Sequence, residues 1–90
     1  MTYTHEKVLA DVGLEYERAA EKFPAFNSAH EGFAVLDEER DELWEVVKKN
    51  PAKRYPNARD PHVAKREEMR EEAIQIAAMA VRFIVDVCDR

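Results

Sequence analysis

The sequence predicts an all-α protein, a three-helix protomer that assembles into an oligomeric helical bundle. Three observations carry this: apolar residues recur at three- and four-residue spacing, no stretch alternates like a strand, and only two glycines and four prolines are present. The 90 residues, 46% hydrophobic and 37% charged, supply a core but leave room for one domain only, spanning residues 1–90.

The first helix is expected over His5 to Lys22, with Thr4 as N-cap and Pro24 ending it. Its apolar stripe comprises Leu9, Val12, Tyr16, Ala19, Ala20 and Phe23. Ser28 and Glu31 have the spacing of a capping box, in which each side chain satisfies a backbone N–H of the first turn, so the second helix starts there and runs to about Lys49. Asn50-Pro51 and Tyr55-Pro56 then break the pattern, and Asp60-Pro61 places a cap and an N1 proline at the start of the third helix. Its apolar positions, from Met69 to Cys88, cover roughly 260° of the circumference at 100° per residue. Two short partner helices cannot bury so wide a face, so a homo-oligomer is expected, with helix three packed centrally on its symmetry mate. Cys88 and Trp44 are expected in the core, or for Trp44 in an interface.

The net charge of −5 is unevenly spread. Residues 48–70 carry eight basic and three acidic groups, whereas the rest of the chain carries six basic and sixteen acidic ones. Such a basic hinge can attract phosphate, the alternative being a solvated polar loop, while the surrounding acids argue against duplex nucleic acid as a partner. No apolar run reaches the roughly 18 residues of a membrane span, and one cysteine allows neither an internal disulfide nor a cysteine zinc site. The expected compartment is the cytoplasm, with no membrane partner.

The acids of helices two and three are placed oddly for solvated side chains. On a helical wheel Glu39 lies between Leu43 and Val46, on the apolar side, while Glu38 and Glu42 join a stripe of like charge. Glu72 lies between Met79 and Phe83, with Gln75 and Glu68 on the same edge. Carboxylates on packed faces need a partner, either an arginine such as Arg40, Arg66, Arg70 or Arg82, or a metal. An all-oxygen set suits Mg2+, with Mn2+ as the alternative.

The run Glu38-Glu39-Arg40-Asp41-Glu42 followed by Glu72-Ala73-Ile74-Gln75 resembles the E-E-x-x-E and E-x-x-D motifs of the all-α, MazG-like nucleoside triphosphate pyrophosphohydrolases, with glutamine in place of the final aspartate. The resemblance covers roughly residues 26 to 87, with 29 residues between Glu42 and Glu72. It implies a dimer or tetramer that uses Mg2+ to cleave a nucleoside triphosphate into a nucleoside monophosphate and pyrophosphate. Glu39, Glu42 and Glu72 would hold the metal with Gln75 in the fourth position, and Glu38 would act with Glu39 in catalysis, assisting a second ion or orienting the attacking water. For the substrate, Lys53 and Arg54 are the candidate phosphate-binding residues, with Lys48, Lys49 and Arg59 behind them, and Tyr55 is the candidate contact for the base. The alternative is a non-catalytic oligomeric helical protein that binds nucleotides or a protein partner.

Overall fold

The computed structural model describes residues 4–90. They form α-helices α1 (His5–Lys22), α2 (Ala29–Lys48), α3 (Pro51–Arg54) and α4 (Pro61–Phe83), the last running on into a π-helical turn at Ile84–Cys88, with no strand among the described residues. The three long helices begin where the local chemistry sets them. Thr4 Oγ1 accepts from Lys7 N at 3.2 Å, Ser28 Oγ from Glu31 N at 3.1 Å, and Asp60 Oδ1 from His62 N at 3.0 Å. Each bond satisfies an N–H that has no partner within its helix.

Two local expectations need correction. The hinge is not free of helix, because Asn50 Oδ1 accepts from Ala52 N at 2.9 Å and nucleates the single turn of α3. The capping box closes on only one side: Glu31 turns to Asn27, accepting from its backbone N at 3.3 Å and its Nδ2 at 3.1 Å. A carboxylate reaching one residue further back finds two donors there instead of one.

Helix α4 is the centre of the fold. Helices α1, α2 and α3 all pack on it, and α1 and α2 make little contact with each other. The core is correspondingly thin, with Val12, Ala19, Phe26, Val46, Ala78 and Met79 as its buried apolar members. Gly32 lets α2 approach closely, since a Cβ there would lie 2.7 Å from Phe83 Cδ2 and 3.1 Å from Phe26 Cδ2. At the other end of α2, Lys65 Nζ donates to the carbonyls of Val47 at 2.8 Å and Lys49 at 3.0 Å, a cation closing a helix C-terminus.

Several residues expected inside are outside. Leu9, Ala20 and Phe23 of the α1 stripe are exposed, Trp44 is 53% exposed, and Cys88 lies at the surface in the π-helical turn, where the wider winding breaks the register of the wheel. Helices α1 and α2 pack on α4 and hardly on each other, so their outer apolar residues have no element over them. The molecule is therefore long and thin, 45 × 27 × 19 Å, with a radius of gyration of 14.9 Å. A compact chain of this length would give about 12 Å.

Candidate metal centre

Helices α2 and α4 lie against each other with their acids facing. Glu39 and Glu42, about one turn apart on α2, and Glu72 on α4 each bring a carboxylate oxygen within 4.8 Å of the others. Glu39 and Glu72 are half-buried and Glu42 is exposed, so the cluster opens to solvent on one side. Glu39 Oε2 and Glu72 Oε2 are buried without a hydrogen-bond partner.

Three of the four arginines that could have neutralised these acids are engaged elsewhere, and the fourth, Arg66, is exposed on α4. Arg40 pairs with Asp37 and Asp41 on its own helix, Arg70 with Asp11 of α1 at 2.7 Å, and Arg82 donates to Pro24 O at 2.8 Å. The electrostatics of the cluster follow. Burial, then the charge of Glu42 beside it and those of Glu72 and Glu38, push Glu39 up from 4.5 to about 7. Burial and Glu42 also raise Glu72. A site whose acids repel one another and keep unpaired oxygens inside is suited to a divalent cation, and the all-carboxylate donor set is of the hard type.

Glu38 is exposed beside Glu39, and Gln75, one turn beyond Glu72, is half-buried. Both line a cleft of about 510 Å3 that also includes Glu39 and runs on to α1. Sequence reasoning missed the α1 part of this wall, because nothing in the α1 pattern distinguishes a cleft residue from a solvated one.

The hinge residues are arranged differently from the sequence expectation. Arg54 Nε and Nη2 donate to the two carboxylate oxygens of Glu68, each at 2.9 Å, and the Tyr55 hydroxyl donates to the same carboxylate. The fork of Arg54, followed by Tyr55, holds Glu68 down at about 2. Lys48 pairs with Glu45 at 2.8 Å, and Lys65 closes α2, so much of the basic charge is used internally. Lys53 is exposed on α3. No helix among the described residues is long and apolar enough to cross a membrane. No protein-family model matches this chain, and comparison with curated proteins and with solved structures gives no match either.

Proposed function

We propose that the protein is a Mg2+-dependent, MazG-like nucleoside triphosphate pyrophosphohydrolase. The observation that carries the metal half of this reading is the pair of buried, unpartnered oxygens of Glu39 and Glu72 within a three-carboxylate cluster. The motif resemblance supplies the reaction. Glu39, Glu42 and Glu72 would hold the ion, with Gln75 contributing an amide oxygen. A bound Mg2+ would neutralise phosphate charge and acidify water. Glu38, exposed beside Glu39, would take the proton of the water that attacks the α-phosphorus, and the bond from that phosphorus to the α,β-bridging oxygen would break to release pyrophosphate. Lys53 would meet the outer phosphates, whereas Arg54 would have to exchange Glu68 for phosphate.

The reading includes a homo-oligomer. A thin core together with exposed Leu9, Leu14, Phe33 and Trp44 is what a protomer leaves for a second copy to cover.

The test is pyrophosphate release from a panel of nucleoside triphosphates with Mg2+ or Mn2+. Turnover of at least one substrate that disappears in Glu39→Gln supports the reading, and release undiminished by that change sinks it. A second reading is favoured by Gln75 itself. An amide carries no full charge and accepts no proton as a carboxylate does, so a relative that binds nucleotides without turnover would show Mg2+-dependent binding and no pyrophosphate.

A further inference from the structure

The hinge between α2 and α4 is fixed at both ends. At its start Lys65 Nζ holds the carbonyls of Val47 and Lys49, and at its end the Asp60 side chain caps α4. Residues 50–59, between these points, carry Lys53, Arg54 and Arg59 and no acid. Their short helix α3 packs on α4 without burying any of its own residues. The acid that ties this cationic segment to α4 is Glu68.

Glu68 accepts a fork from Arg54 Nε and Nη2, each at 2.9 Å, and a third bond from the Tyr55 hydroxyl, which itself lies 3.2 Å from Arg54 Nε. A planar guanidinium fork with a hydroxyl beside it suits a phosphate as well as a carboxylate. The clasp stands at the edge of the carboxylate cluster. Glu68 precedes Glu72 by one turn on the same edge of α4, and its charge, behind burial and Glu42, helps to raise Glu72. Arg54 is felt on α2 as well, where, behind Lys48 and Lys49, it helps to lower Glu45. A phosphate chain that starts on a metal at the cluster need extend only about 6 Å along α4, four residues of rise, to reach the clasp.

We propose that residues 50–59 form a self-inhibited phosphate clamp: the Glu68 carboxylate occupies the Arg54 and Tyr55 donors in place of a phosphate, and a metal-held polyphosphate takes them over by displacing it. The inference rests on the proposed function and deepens it, adding a gate to that site. The Arg54 and Glu68 side chains are 30% and 29% exposed, so the exchange strands no charge in the core and Glu68 passes to water. Without metal the acids of the cluster repel the incoming anion, and the clasp stays closed. With metal, the tethered phosphates compete with Glu68 at high local concentration. The Tyr55 hydroxyl serves Glu68 first and phosphate second, and not a base.

The experiment is calorimetric titration of inorganic triphosphate, with Mg2+, into wild type, Glu68→Gln, Glu68→Asp, Arg54→Ala and the double variant of Glu68→Gln with Arg54→Ala. Mn2+ affinity is measured separately, without phosphate, by electron paramagnetic resonance. Glu68→Gln keeps the shape of the side chain and removes the competing charge, so triphosphate should bind about fivefold more tightly than to wild type, the size of a partly exposed charge pair. Glu68→Asp keeps the charge but draws it back from the fork, and should tighten binding by a smaller factor. With Arg54→Ala there is no clasp to release, and adding Glu68→Gln should leave triphosphate affinity unchanged. Because α3 buries no residue, loosening the clasp leaves the core intact. The inference is overturned, with the metal centre still standing, if either Glu68 variant fails to tighten binding, or if the gain from Glu68→Gln persists beside Arg54→Ala, which would make it general repulsion by an acid. Absence of Mn2+ binding overturns the proposed function, and the clamp with it.

Discussion

Glu39 and Glu72, on different helices, each keep a buried Oε2 atom without a hydrogen-bond partner, and the two carboxylates come within 4.8 Å of each other. Like charges held this close without a cation destabilise the fold, so the cluster makes the stability of the protein sensitive to protons and to divalent metal alike.

The pH dependence of metal-free stability follows from Glu39. Its folded value, about 7, lies above its usual 4.5, so between these the folded state binds more protons than the unfolded chain and stability falls as pH rises. Metal-free melting temperature should drop from about pH 5 to about pH 7.5, and millimolar Mg2+ should offset the drop. Glu39→Gln should flatten the metal-free slope and remove the Mg2+ effect. Glu68 acts in the opposite sense. Lowered to about 2 by Arg54 and Tyr55, it stabilises above its usual 4.5, and that contribution is lost as pH falls toward 2. Arg54→Ala should therefore reduce melting temperature at neutral pH and weaken the acid-side decline. Thermal melts across pH, with and without Mg2+, measure all four.

Gln75→Asp distinguishes a metal site short of one carboxylate from a set of acids that merely share a surface. As a working ligand, the new carboxylate should enlarge the Mg2+-dependent rise in melting temperature and increase turnover. Without a metal role, it adds repulsion beside Glu72 and lowers stability with no Mg2+ response. Melting temperature of wild type and variant, each with and without Mg2+, decides it.

The two glycines should respond in opposite ways to alanine. A Cβ at Gly13 meets nothing within 4 Å, so Gly13→Ala should stabilise by about 0.5–1 kcal/mol through helix propensity. A Cβ at Gly32 would lie 2.7 Å from the Phe83 ring, and Gly32→Ala should destabilise, since overpacking costs about 1–3 kcal/mol against the same gain. Urea unfolding of both variants tests the pair.

Phe33, 66% exposed, shares a shallow hollow with Ala29, His30 and Phe83. If a second copy covers this face, Phe33→Asp should shift sedimentation toward the monomer without changing helix content by circular dichroism. A wild type that sediments as a monomer at micromolar concentration refutes the oligomer.

What the sequence by itself determined is local. The three long helices start at Thr4, Ser28 and Asp60, because capping bonds link residues two or three apart. The inward tilt of Glu39 and Glu72 followed from the helical period alone. Only the tertiary structure decided which cations meet which acids and what is left uncovered. Arg54 meets Glu68 across 14 residues, and Asp86 reaches the backbone of Phe26 across 60. Periodicity assigns a residue to a face but does not say whether another element lies over that face. Leu9, Trp44 and Cys88 therefore read as buried and stand exposed, because no other described element lies over them. The wall contributed by Phe23 and Arg18 was hidden for the same reason, since a cleft exists only once α1, α2 and α4 have packed.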